Sequence, residues 1–204
     1  MGTNFQIYSI MPLLPTAYFP SIHYLKVYFS YPNSVIEIHE NFDKQTIRNR
    51  CEILTGNGVL RLSIPLIHSS GVKIKTKNIL IDYEENWQLK HWRAIKSAYS
   101  SAPFFEDYEQ AIYELIFAED KLLIDKNKRI LEFIFSVLEL EKSIQQSTIY
   151  SDKIDLDFRK TDFLMHTYEI KEYQQVFGYG KNFISNLSIL DLLMNEGPFI
   201  RNWI

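Results

Sequence analysis

The run Thr55-Gly56-Asn57-Gly58 restricts the fold more than any other stretch of the chain. Cys51 to Thr55 precedes it, and the segment from Val59 to Leu66 that follows places leucine or isoleucine at every second position from Leu60. Asn-Gly tolerates the positive φ values of a tight turn, and a period of two marks strands on both sides. The sequence therefore predicts a β-hairpin closed by a type I′ turn at Asn57-Gly58. Leu60, Leu62, Ile64 and Leu66 would share one face of the returning strand.

More strand-like pieces surround the hairpin. Phe5 to Leu14 is apolar and reads as a buried strand, bounded by Pro12 and Pro15, which cannot donate to a ladder. Ile22 to Tyr31 reads as a short aromatic-rich helix stopped by Pro32. Ser34 to His39 alternates, which points Ile36 and Ile38 at the core and Val35, Glu37 and His39 to the other face. Asn78 to Tyr83 reads as one more short strand.

After Asn86 the period changes to that of helices. Trp92, Ile95, Tyr99 and Ala102 form one stripe of a helix over 87–101. Tyr108, Ala111, Ile112 and Leu115 form the next over 104–119, and Leu131, Ile134, Phe135 and Leu138 a third over 125–141. Ser143 to Lys181 has no clear period. Ser188-Ile189-Leu190-Asp191 has the form of a capping box, with Asp in place of Glu or Gln, and Gly197-Pro198 is a helix stop. The pattern predicts an α/β or α+β fold: one domain over 1–204, sheet-rich in its N-terminal half and covered by helices from its C-terminal half.

Charge narrows the function. Twenty-two basic residues against 25 acidic leave a net charge of −3, which does not suit nucleic-acid binding. Cys51 is the single cysteine, which fits a reducing compartment. The first residues lack a basic and then apolar stretch, so no secretory signal is expected, and Gln6 breaks a myristoylation motif. No run approaches the length of a membrane span. A cytoplasmic protein without membrane insertion is expected.

Within this acidic chain, Lys44-Gln45-Thr46-Ile47-Arg48-Asn49-Arg50 concentrates three positive charges. On an extended backbone Arg48 and Arg50 would share a face, where two guanidiniums can grip a phosphate or carboxylate. Asn49 would add an amide to steady an oxyanion. Alternatively the cluster is an ion-paired edge opposite Glu37, Glu40 or Asp43. His91 should face inward on its helix, as a core residue or a pocket base, and His39 shares a strand face with Glu37. Either would serve as the catalytic base. The histidines and Cys51 lack metal-ligand spacing, so no metal is expected, and no cofactor is assigned. Walker A, GxGxxG and GxSxG motifs are absent. Asp155-Leu156-Asp157 has the Asp-x-Asp form used by some glycosyltransferases. Cys51 reads as core.

Several blocks in order resemble the WbqC-like protein family. They are Tyr18-Phe19-Pro20 with Tyr24, His39 to Phe42, Lys44 to Thr46, Arg48 to Cys51, and Asn57-Gly58. Leu62 to Leu66, Trp87 with Lys90-His91-Trp92, Ala98-Tyr99, Ala102 to Phe105, Leu187 to Asn195 and Gly197-Pro198 continue the series. The resemblance implies a role in O-antigen or other surface-polysaccharide biosynthesis, with a suggested glycine or aminoacyl transfer onto an activated sugar. It points to Arg48, Asn49, Arg50, Lys90, His91 and Trp92 as pocket residues, and to a small anionic substrate, a nucleotide sugar or an amino-acid donor. The alternative is a non-catalytic anion- or nucleotide-sugar-binding scaffold. The chain departs from the family at Pro15-Thr16-Ala17, at His23, and in 147–160, which lacks a glycine-containing segment of longer members. Oligomeric state is not legible.

Overall fold

The computed structural model describes residues 11–67, 72–152, 154, 156–160, 162, 168–178 and 182–204. Its first layer is a small parallel sheet of β1 (Leu13–Pro15), β2 (Val35–Glu37) and β7 (Gln145–Gln146), in the order β1-β2-β7. The 156–158 stretch runs beside β1 on its free side: Leu13 N–H donates to Leu156 and Phe158 N–H to Leu13. β1 also ends on Pro15, which can only accept. The rest of the segment expected as a strand, 5–10, lies outside the described residues.

Because β2 is the central strand, Val35, Ile36 and Glu37 are all buried. This corrects the expected alternation. A central parallel strand is covered on both faces, so Glu37 is as enclosed as Ile36, while Ile38 is only half-buried beyond the strand end.

β3 (Arg50–Thr55) and β4 (Gly58–Ser63) form the hairpin, with Thr55 opposite Gly58. The turn is therefore Gly56-Asn57, one residue earlier than expected. Neither residue has positive φ, and Gly58 takes φ +105 instead. The left-handed residue is thus the first of β4, and the turn is not of type I′, which needs positive φ at both central residues. The Thr55 hydroxyl stabilises it, accepting from Asn57 N–H and donating to the Gly58 carbonyl. Leu62 and Ile64 are buried as expected, but Leu60 near the tip is exposed. Leu66 belongs to a separate strand, β5 (Leu66–Ile67), which pairs with β6 (Leu80–Ile81).

The helices are α1 (Ile22–Ser30), α2 (Trp87–Tyr99), α3 (Phe105–Phe117), α4 (Leu123–Val137) and α5 (Ile189–Glu196). Expected stripes and observed burial agree for Ile95, Tyr99, Ile112, Leu115, Leu131, Ile134, Phe135 and Leu138. Trp92 is only partly buried, and Trp87 takes the inward place at the start of α2. One apolar cluster runs from Leu14 to Trp203, so sheet and helices share a core. The architecture is mixed α/β. No helix among the described residues is long and apolar enough to cross a membrane.

Buried polar groups join the layers. The Lys126 ammonium lies under the end of α3, donating to the carbonyls of Leu115, Ile116 and Ala118, and pairs with Asp120 at 3.2 Å. A cation at a helix C-terminus meets both the free carbonyls and the dipole. Ser188 caps α5, accepting from Leu190 N–H, but Asp191 does not complete the box. Its buried carboxylate instead accepts from Tyr99, Tyr173 and Gln175. Burial pushes the Asp191 carboxyl up, against the pull of these donors.

Gly197 ends α5 at φ +57 and ψ −131, which only glycine adopts without strain, and a Cβ there would run into the Phe104 ring. Gly197→Ala should therefore lower unfolding stability by about 3 kcal/mol, the cost of strain plus overpacking, read from a urea midpoint.

Candidate functional site

A cleft of about 330 Å³ opens where the segment 15–21, the loop 43–48, the hairpin, residues 159, 160 and 162, and the segment 186–188 meet. Pro15, Tyr18, Phe19, Pro20 and Ile47 give it an apolar wall. Arg48, Arg50, Arg61, Arg159 and Lys160 line it alongside Asp43, Glu52 and Asp162.

Backbone strain converges on this cleft. Four non-glycine residues among those described have positive φ: Phe19 (+37), Gln45 (+62), Glu139 (+51) and Asn186 (+60). All but Glu139 line the cleft. Each such residue costs on the order of 1–3 kcal/mol and persists only where the surroundings hold it. Two of the three are held in this way: the Phe19 carbonyl accepts from Ser188 Oγ at 2.9 Å, and Asn186 Oδ1 accepts from His23 N–H at 3.0 Å.

The N-termini of α1 and α5 also reach the cleft, through their caps Ser21 and Ser188. Their first-turn donors are already committed. Ile22, His23 and Tyr24 N–H go to the Leu187 carbonyl, Asn186 Oδ1 and Ser21 Oγ, and Ile189 and Leu190 N–H to the Pro20 carbonyl and Ser188 Oγ. The helix ends thus contribute a positive field and no free donors.

The two expected arginines both line the cleft but are not a side-by-side pair on a strand. Arg48 lies in the turn before β3 and is 2% exposed. Its Nε and Nη2 hold Glu40 Oε1 at 2.8 and 2.6 Å, Nη1 reaches Thr46 Oγ1 at 3.1 Å, and Nη2 also reaches the Arg159 carbonyl at 3.0 Å. Arg48 is thus the ion-paired edge the sequence left open, with Glu40 as its partner. Burial raises the Glu40 carboxyl, and Arg48 pulls it back down.

Arg50 is different. Its Nη1 faces the Gln45 carbonyl at 3.4 Å, and its buried Nε has no hydrogen-bond partner among the described residues. It makes no ion pair among them either. A buried N–H without an acceptor costs free energy that a bound oxyanion would recover.

His91 stands behind the cleft wall. Its Nε2 bonds the Ser63 carbonyl at 3.2 Å, so Nε2 carries the proton, and Nδ1 accepts from the Tyr18 hydroxyl at 3.0 Å. Tyr18 itself lines the cleft, so His91 meets it only through that phenol. Burial pulls His91 down to about 4, with the Ser63 bond opposing, so the ring is neutral at pH 7. His39 lies elsewhere, its Nδ1 on Ser147 Oγ, which in turn donates to Glu37. Glu37 pairs with Arg159 at 3.6 Å, the route from His39 to the cleft.

The remaining candidates are dispersed. Asn49 is buried and donates to the Ile64 carbonyl at 2.9 Å, inside the hairpin base. Lys90 is exposed and paired with Glu85 at 2.7 Å. Trp92 packs against Phe105 and Tyr113, between α2 and α3. Cys51 lines the cleft with its thiol pushed up by burial, which keeps it protonated. Asp155 lies outside the described residues, and Asp157 is held by Arg159 at 2.6 Å.

Sequence reasoning missed Arg159, Lys160 and Asp162, which come from the stretch without period. The adjacent basic pair Arg159-Lys160 is the signal that marks it. Tyr18 and Phe19 carried a signal only as part of the block resembling the family.

The chain matches the model of the WbqC-like protein family over residues 16–166 and 149–202. It belongs to that family. Together these matches take in every residue lining the cleft except Pro15. No curated protein and no solved structure matches the chain.

Two stability measurements separate wall from ligand site in this WbqC-like protein. Arg48→Ala leaves Glu40 buried without its cation and should cost about 3–5 kcal/mol by urea unfolding, whereas Arg50→Gln should cost less than about 1. The second concerns pH. His91 falls from 6.5 to about 4 in the folded state, so between these values the unfolded chain binds the extra proton. Stability should be full above pH 6.5 and fall by on the order of 3 kcal/mol as pH drops to 4. His91→Gln should flatten that limb of the curve.

Proposed function

We propose that the cleft binds a small anionic substrate, a nucleotide sugar or an amino-acid donor, and that the protein is a cytoplasmic transferase of surface-polysaccharide biosynthesis of the O-antigen type. The observation that carries the binding step is Arg50, whose buried Nε lacks an acceptor among the described residues in the wall of a strained cleft. The helix ends at Ser21 and Ser188 add a field of the right sign. The wider pathway rests on the family alone.

In this reading the proton from an attacking amine or hydroxyl passes to His91 through the Tyr18 hydroxyl. Burial keeps His91 neutral and able to accept, though as a weak base. His39 is the second candidate base, coupled through Glu37 and Arg159. Arg48 acts by holding the Arg159 backbone, and Asn49, Lys90 and Trp92 support the surrounding framework.

A second reading, a binding protein without turnover, is favoured by one observation: neither histidine lines the cleft. Both readings place the ligand on Arg50, and one experiment divides them. Native protein and Arg50→Gln are screened for thermal stabilisation by nucleotides, nucleotide sugars and amino acids. A ligand at ~100 times its Kd should stabilise the native fold by ~2.7 kcal/mol and the variant far less. The ligand so found is then incubated with the protein and candidate acceptors. Turnover that falls ~10²–10⁴-fold in His91→Gln supports the transferase, since that is the usual weight of a general base. Binding without any turnover supports the scaffold.

A further inference from the structure

We infer that the outer edge of β4 is a pairing surface for a second copy of this chain. The two copies join antiparallel about a two-fold axis at Leu60, so that two hairpins make one four-stranded sheet.

The ladder shows which backbone groups the edge offers. Ile64 N–H donates to the Asn49 carbonyl, and these two residues continue the β3–β4 register. Antiparallel pairs alternate between hydrogen-bonded and non-hydrogen-bonded. Leu62 with Cys51, Leu60 with Ile53 and Gly58 with Thr55 are therefore the bonded pairs. Val59, Arg61 and Ser63 turn their N–H and C=O groups away from β3. The Ser63 carbonyl is taken by His91 Nε2. Among the described residues, the backbone groups of Val59 and Arg61 have no partner. The far side of β3 is closed by contrast. The Glu52 carbonyl accepts from Ser188 N–H at 2.8 Å, and Leu54 N–H donates to the Tyr99 hydroxyl at 3.4 Å.

The edge also lacks the usual guards. Open edges are ordinarily blunted by lysine, proline, a bulge or a covering segment. β4 contains neither lysine nor proline and pairs with β3 without a bulge. Its one charge, Arg61, is turned to Glu52 on β3 at 2.6 Å. Val59 and Leu60 are 48% and 40% exposed.

Such groups accept a strand, and the register selects a second copy. With Leu60 on the axis, Val59 of each copy faces Arg61 of the other, and the two pairs exchange four N–H···O bonds. That uses every outward group still open. Leu60 meets its own counterpart in the non-hydrogen-bonded pair between them, where side chains come closest and bury apolar surface. An axis at Arg61 would set two guanidiniums opposite each other and call on the Ser63 carbonyl that His91 already holds. An axis at Val59 would bring the turn residue Asn57 into the ladder. Charge and geometry leave one register.

Directly opposite residues point to the same face of a sheet. Both clefts thus open on one face of the dimer, and Val59 of the second copy lies beside Arg61, which lines the cleft. The contact is short and belongs to the weak end of protein interfaces, so the dimer depends on concentration.

Sedimentation velocity of the whole chain over a range of concentrations tests this. The native protein should show a reversible monomer–dimer equilibrium. Arg61→Pro removes two of the four bonds and none of the β3–β4 ladder, because that N–H points outward. Leu60→Lys puts two ammonium groups at the axis. Each should raise the dimer dissociation constant at least about tenfold. Leu60 is exposed, so Leu60→Lys keeps the fold, checked by circular dichroism, and carries the test if Arg61→Pro does not fold. Cysteines read the register. Leu60→Cys places two thiols opposite each other within disulfide reach and should cross-link on mild oxidation, whereas Val59→Cys sits about 7–8 Å from its counterpart and should not. A native chain that is monomeric at every concentration overturns the inference and leaves the edge to a strand of another protein. A dimer unaffected by either substitution overturns the edge, and Val59→Cys cross-linking as readily as Leu60→Cys overturns the register.

Discussion

The buried pair of Arg48 and Glu40 is the interaction on which the cleft depends. It crosses four parts of the chain at one point. Glu40 follows β2, Thr46 lies in the next loop, Arg159 belongs to the segment beside β1, and the Arg48 carbonyl accepts from Asn127 on α4 at 2.8 Å. Taking a guanidinium and a carboxylate out of water is costly unless the remaining donors are also satisfied. Arg48 meets that condition, with every nitrogen on an acceptor. The result is a rigid back wall against which β3 begins, and Arg50, two residues on, is presented to the cleft.

The same division between framework and free group recurs around the site. Arg61 and Arg159 answer to Glu52 and Asp157, and the first N–H groups of α1 and α5 answer to neighbouring segments. Strained backbone at Phe19 and Asn186 is held by the Ser188 hydroxyl and the His23 N–H respectively. Two buried guanidinium nitrogens of the cleft lining lack a hydrogen-bond partner among the described residues: Arg50 Nε, and Arg159 Nη1, which stands 3.6 Å from Glu37. Of the two arginines only Arg50 also lacks an ion pair among those residues, so an anion could be taken up there without breaking an internal bond.

Neither histidine is exposed to the cleft directly, and their environments differ in kind. His91 is neutral, held in one tautomer by Ser63 and bonded to a phenol. His39 is the outer member of a chain through Ser147 to the buried Glu37 and Arg159. Each histidine thus connects to the cleft lining only through an intermediary, the Tyr18 hydroxyl for His91 and the Glu37–Arg159 pair for His39.

What the sequence determined by itself is what short-range physics controls. The helical stripes on α2 to α4, the inward His91, the hairpin, the stop at Gly197 and the family all follow from periodicity, steric limits or ordered blocks over local stretches. Even the errors there are local, as in the turn that shifted by one residue, with the left-handed Gly58 paired to Thr55 at the start of β4. Tertiary structure decided the rest. Glu37 is buried because β2 happens to be central in a sheet whose third strand arrives more than 100 residues later. Asp191 left its capping box for three donors from distant segments. Arg48 and Arg50, alike in sequence, received opposite roles because one met Glu40 and the other met no anion among the described residues. Charge pairing is set by distance in space, and a sequence records only distance along the chain.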